Sequence, residues 1–382
     1  MTKNNEKKVP KLRFKGFTDD WEQRKFEKIA NRINKTSTSI ELPKVEFEDI
    51  VAGEGRLNKD LSQKLDNRKG IEFQPSDVLY GKLRPYLKNW LFSDFFGIAL
   101  GDFWVLRAND LTPSFLYTLI QSVNFQRVAN DTSGTKMPRS DWKKVSSTKF
   151  YIPLNINEQK KIGDLISQLD QTLTLHQRKV EQLEQLKQAL LQQMFPGKDE
   201  VVPKLRFANF QDDWEQSMLD DVVDTQIKGK AQAEKLNTGE VEYLDTARLN
   251  GGEPILTDGI PNVEKDDILI LWDGSKAGTV YTGFEGTLGS TLKAYKTSAN
   301  SWFVFQFLKK HQEKIYYNYR TPNIPHVQKD FLEVFQIVIP SREEQNKIGK
   351  LLTIFDKSIL FHQLKLNNLK LIKESLLHNL FI

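Results

Sequence analysis

Few residues of this chain have the types and spacing that covalent chemistry needs. There is no cysteine, which excludes disulfides, thiol nucleophiles and cysteine-held zinc or iron–sulfur centres. The five histidines, at 176, 311, 326, 362 and 378, form no ligand cluster and no His-Glu-x-x-His pattern. DGSKAGT (273–279) has neither the order nor the spacing of a phosphate-binding P-loop. Glu158-Gln159-Lys160 resembles a fragment of a nuclease carboxylate pattern, but it stands at a helix start inside a repeated segment and reads as structural. No catalytic, cofactor-binding or metal-holding constellation emerges.

What remains is recognition chemistry in four loops. GKLRPYLK (81–88) presents Lys82, Arg84 and Lys88 beside Tyr86. TSGTKMPR (132–139) supplies Ser133, Thr135, Lys136 and Arg139. DGSKAGT supplies Ser275 and Lys276, and RTPNIPH (320–326) supplies Arg320, Asn323 and His326. Cations and hydroxyls of this kind bond phosphates, Arg can grip guanine with two bonds, and Asn can do the same to adenine. Each stretch also reads as an ordinary solvated turn, so these residues are candidates for DNA contact.

The elements that must position these loops come from an internal repeat. PKLRFKGFTDDWEQ (10–23) and PKLRFANFQDDWEQ (203–216) share eleven of fourteen residues at an offset of 193. A second match, at an offset of 186, joins 158–195 to 344–381 and begins EQxKIG in both copies. Between these ends, 27–150 and 220–336 show little similarity, although both read as mixed α/β with elements in the same order. Alike ends around unlike middles predict equivalent contacts at the ends and different ones in the middles. The Asp pairs 19–20 and 212–213, ahead of Trp21 and Trp214, read as the cap and anchor of a helix.

Each closing match has helical periodicity. Apolar or seam-like residues fall at Ile162, Ile166, Leu169, Leu173, His176, Val180, Leu183, Leu186, Leu190 and Met194. The second copy has Ile348, Leu352, Phe355, Ile359, His362, Leu366, Leu369, Ile372, Leu376 and Leu380, with the same break in the heptad. Asn157 reads as the first helix's cap and Pro196-Gly197 as its stop. A helix of about 58 Å with one apolar stripe needs a partner. The other copy is the natural one, antiparallel if the two units are symmetry-related; helices of another subunit are the alternative. His176 and His362 share a seam position, where they read as fillers that an antiparallel pairing could bring together. The predicted organisation is therefore a domain at 1–156, a helix at 157–196, a domain at 197–340 and a helix at 341–382.

Bulk properties agree with a globular protein. The 382 residues suffice for two domains with real cores, given 24 Phe, 10 Tyr and 7 Trp. The amino end lacks a signal-peptide core and no apolar run spans a membrane, and the absence of cysteine fits a reducing, cytoplasmic setting. Net charge is +5, but segments 1–156 and 202–338 carry +8 and −5, so any polyanion-binding face is local.

With these features assembled, the chain resembles the specificity subunit of type I restriction–modification enzymes. The resemblance rests on the paired PKLRF…DDWEQ openings, GKLRPY (81–86), TSGTKMP (132–138), the DGS…G turn (273–278) and the EQxKIG helix starts. It implies two α/β target-recognition domains separated by an antiparallel coiled coil, with an internal pseudo-twofold. Each domain would read one half of an interrupted double-stranded DNA target. The helices would set the spacing and receive two modification subunits, which carry S-adenosylmethionine and flip out and methylate adenine. Restriction subunits, using ATP and Mg2+, would cut unmethylated DNA. This chain would hold no cofactor and do no catalysis, in a bacterial cytoplasm. The rival reading is a noncatalytic coiled-coil adaptor without DNA contact. DGSKAG in place of GKLRPY, and RTPNIPH in place of TSGTKMPR, imply different half-sites.

Overall fold

The computed structural model describes residues 8–61, 66–131, 136–197, 200–321 and 325–382. The chain divides into two compact units, Met1–Arg178 with His362–Ile382, and Lys179–Phe361. Each contains one α/β domain and a stretch of both long helices, Ile156–Met194 and Arg342–Asn379.

In the first unit, Glu22–Lys25 pairs antiparallel with Lys149–Ile152, so the chain entering the domain meets the chain leaving it. A four-stranded antiparallel sheet runs Ala30–Ile33, Phe103–Ala108, Val78–Gly81, Trp90–Phe92. Alternation along Val78-Leu79-Tyr80 sends Val78 and Tyr80 into one core and Leu79 into another, as the two-residue period of a strand requires. The helical stretch expected over 114–131 is two helices, Pro113–Gln121 and Val123–Ala129. They break at Ser122, whose hydroxyl accepts from Phe125 N–H.

The second unit repeats this plan with other residues. Glu215–Met218 pairs with Gln336–Ile339, and the sheet runs Val223–Lys228, Leu292–Thr297, Ile268–Leu271, Val280–Tyr281. Ile268 and Ile270 face one core, Leu269 and Leu271 the other.

The repeated motifs find each other. Glu158, 1% exposed, takes two bonds from the Arg13 guanidinium, at 2.6 and 2.9 Å, and one from the Trp21 indole at 3.3 Å. In the second unit Arg206 grips buried Glu344 at 2.8 and 2.9 Å. Asp19 and Asp20 do not cap a helix. They lie in the turn before a strand; the Glu158 hydrogen bond holds the Arg13 guanidinium above its ordinary pKa, and the charges of Asp19 and Asp20 add the smallest contributions. Asp212 and Asp213 do the same for Arg206, behind its bond to Glu344. Gln159 accepts from Thr112 N–H at 2.8 Å and donates to the Pro153 carbonyl at 2.9 Å. Gln345 repeats both bonds, with Asn300 and Pro340. A Cβ on Gly163 would meet Ser114 Oγ at 2.3 Å, so only glycine lets the long helix approach the domain this closely. The helix begins at Ile156, and Asn155, not Asn157, caps it by accepting from Asn157 N–H.

The helix ends are exchanged. Phe195, at the end of the first long helix, packs on Trp214, Phe303 and Phe307 of the second unit. Phe381, its counterpart, packs on Trp21 and Phe115 of the first. Within each unit the helices run antiparallel: Asp170 meets Lys373 and His176 meets His362 in one, and Lys187 meets Asp356 in the other. The His176 and His362 Nδ1 atoms are 2.8 Å apart, which requires one ring to donate and the other to accept. Ile162, Ile166, Val180, Ile348, Leu352 and Leu366 are buried, while Leu169, Leu173, His176, Leu183, Phe355, Ile359, His362 and Leu369 are half-buried. The stripe fails at the heptad break. Leu186 and Ile372 are 49% and 50% exposed, and Lys187 and Lys373 turn inward instead to reach Asp356 and Asp170.

Glu158→Ala leaves the Arg13 guanidinium without its carboxylate, and the expected loss is about 3 kcal/mol of stability in the first unit. Urea unfolding followed by amide exchange in that unit measures it. A loss below about 1 kcal/mol, the range of a surface ion pair, would remove the clamp's structural role.

Candidate nucleic-acid interface

Each domain brings its two candidate loops together by the same backbone bonds. In the first, Arg84 N–H donates to the Pro138 carbonyl at 2.7 Å, Ser140 N–H to the Lys82 carbonyl at 2.8 Å, and Leu83 bridges Arg139. In the second, Gly274 N–H donates to the Pro325 carbonyl at 2.9 Å, Val327 N–H to the Trp272 carbonyl at 2.9 Å, and Asp273 bridges His326. The framework is shared and the side chains it carries differ.

In the first domain Arg84, Tyr86, Lys88, Lys136 and Arg139 are exposed and Lys82 is half-buried. Ser133 and Thr135 lie outside the described residues. Asp102, which the sequence reading did not single out, binds both Lys82, at 3.5 Å, and Arg139, at 3.0 Å. It ties one cation from each loop to a single carboxylate. Nothing local in the sequence marks it, because it enters from a third segment.

In the second domain Ser275 and Lys276 are exposed, and Arg320 and His326 half-buried. Asn323 lies outside the described residues. Arg320 Nη1 donates to the Ser275 carbonyl at 3.2 Å, and its guanidinium lies 3.8 Å over the Tyr316 ring. His326 Nδ1 is 3.0 Å from Thr321 Oγ1. Three further residues enlarge this surface. Lys293 Nζ sits 3.2 Å over the Trp272 ring and 3.1 Å from Gln226 Oε1. Burial, and then the Lys228 charge, push the Lys293 amine below its ordinary pKa, with Asp273 opposing. The only sequence signal for this cluster is the aromatic residue before DGSKAG.

The two loops solve one backbone problem differently. Arg84 and Lys88 are left-handed, with φ of 48° and 56°, where side chains are disfavoured. The matching loop uses Gly274 and Gly278, which carry no such cost. The first domain therefore holds two cations on strained backbone beside exposed Tyr86. Among the described residues there is no cluster of His, Asp and Glu able to hold a metal, and no helix long and apolar enough to cross a membrane.

Lys88→Gly removes that strain and is expected to stabilise the first unit by about 1 kcal/mol. Lys88→Ala, which keeps a Cβ, gives no such gain. Equal melting midpoints for the two variants would contradict the assignment of strain.

Comparison with known proteins agrees with this architecture. The chain is 31% identical over 194 residues to the type I restriction enzyme MjaVIII specificity subunit of Methanocaldococcus jannaschii, a match covering 48% of this chain and 45% of the relative. It is 28% identical over 262 residues to the type I restriction enzyme HindI specificity subunit of Haemophilus influenzae, covering 63% of this chain and 56% of that one. The chain thus spans about half the length of the curated relatives it matches. The crystal structure of a type I restriction-modification system S subunit from M. genitalium shares the fold, with a TM-score of 0.74 over 98% of this chain and 99% of that one, at 18% identity. The family described as the type I restriction modification DNA specificity domain matches residues 18–185 and again 211–371. The two matches take in most of both units, and the chain belongs to that family.

Proposed function

We propose that this chain is the sequence-reading subunit of a DNA-modifying complex, and that each domain reads one half of an interrupted double-stranded target. One observation carries the reading: two loops are paired by the same backbone bonds in both domains, yet bear different side chains. A shared frame with different residues suits two readers that meet DNA in the same way and select different bases. Lysines at the rim would supply salt-dependent phosphate affinity, and Arg84, Arg139 and Arg320 would supply base discrimination. The chain itself would perform no catalysis. S-adenosylmethionine, ATP and Mg2+ would be held by partner modification and restriction subunits.

The long helices would set the spacing and dock two modification subunits. Leu175 and Phe361 occupy equivalent positions and are 65% and 61% exposed. Two matched apolar side chains suit two equivalent docking contacts. Leu175→Asp and Phe361→Asp are each expected to remove one modification subunit from the assembly, and the double variant both. Native mass spectrometry reads the stoichiometry, and full assembly of the double variant would refute this docking surface.

The reading as a whole is tested by methylome sequencing of cells that express this chain with a modification subunit. The expected result is one bipartite motif with a modified adenine in each half. In Arg139→Ala, discrimination at one base pair in one half should weaken by about 1–3 kcal/mol, with the other half unchanged. An active complex that adds no methylation attributable to this chain would overturn the proposal.

A further inference from the structure

The duplicated Asp–Lys pair of the long helices is completed differently in the two units. In the second, Gln306 Nε2 donates to Asp356 Oδ2 at 2.6 Å, while Lys187 holds Oδ1. In the first, Lys373 holds Asp170 Oδ1 at 2.6 Å, but Oδ2 is buried without a hydrogen-bond partner. Aligning Phe115 with Phe303, the aromatic residues that receive the exchanged helix ends, puts Thr118 where Gln306 stands. Thr118 is too short to reach, and its hydroxyl bonds the Ser114 carbonyl. Lys309 is likewise replaced by Gln121, which is 5% exposed and whose Oε1 also has no partner.

Beside Gln121 and Asp170 lies a cavity of about 290 Å³. Its walls are Leu173, Leu366, Leu377 and Trp90, whose indole N–H also has no partner, and Gln121 and Asp170 line it. Its charges cancel, with Glu54, Asp170 and Glu374 against Lys88, Lys370 and Lys373. Burial raises the Asp170 carboxyl above its ordinary pKa, against the pull of Lys373. A buried acceptor left unpaired costs free energy that a donor would recover. Balanced charge disfavours an anion or cation, and an indole with three leucines favours a flat apolar body.

We infer that this cavity binds a neutral aromatic molecule bearing an N–H2 group, such as a carboxamide or an aminoheterocycle, with its hydrogens given to Asp170 and Gln121. This binding does not rest on the DNA-reading role, although Lys88 lines the cavity as well as belonging to a candidate DNA loop; in the second unit Gln306 donates to the corresponding acceptor.

The test uses benzamide and its isosteric anion benzoate as probes of the purified full chain, read by saturation-transfer NMR and calorimetry. Benzamide is expected to bind at least about tenfold more tightly than benzoate. Thr118→Gln, which copies Gln306, should weaken benzamide by about tenfold or more, and Gln121→Leu by about fivefold. If Thr118→Gln fails to fold by circular dichroism, Gln121→Leu decides. No benzamide binding, equal binding of benzoate, or benzamide affinity unchanged in a folded variant would each overturn the inference.

Discussion

The structure depends on the bond between an arginine of each opening motif and a buried glutamate at the start of each long helix. Arg13 with Glu158, and Arg206 with Glu344, fix where the helix leaves its domain. A carboxylate as deeply buried as Glu158 or Glu344 is tolerable only when paired and hydrogen-bonded. The clamp therefore constrains everything near it. Gln159 and Gln345 tie the same turn to the domain's last strand and to its main helix. Once the start is fixed, the far end of each helix reaches the other domain's core, where Phe195 and Phe381 complete the packing around Trp214 and Trp21.

This arrangement separates what must stay alike from what can differ. All the clamp residues, the exchanged phenylalanines and their tryptophan receivers lie in the matched ends of the sequence. The loops lie in the unlike middles, held by backbone bonds that ask little of side-chain identity. Arg84 can therefore stand where Gly274 stands, at the cost of left-handed backbone.

The same division explains what the sequence revealed. The repeat, the long helices and the pairing of alike ends were legible because each rests on local periodicity or on residues that recur. The loop pairs were legible as candidates because basic and breaker residues sit together in the chain. Asp102, Lys293 and Trp272 were not, because they come into play only when distant strands are placed side by side. The Asp pairs misled because an acidic pair before an aromatic residue also marks a helix start, whereas here a strand follows in both units. Leu186 and Ile372 misled because hydrophobic spacing cannot see that Asp356 and Asp170 draw a lysine inward one residue later. The open Asp170 acceptor was hidden for a similar reason: Thr118 and Gln306 look unrelated until their common frame is superposed.

The central claim is that alike ends form a frame and unlike middles read DNA. Replacing residues 220–336 by a second copy of 27–150, leaving both clamps and both long helices intact, tests it most directly. With a modification subunit present, the methylated motif is expected to contain the first domain's half-site in both halves, with the spacer length unchanged. Persistence of the second domain's original half-site would contradict the account.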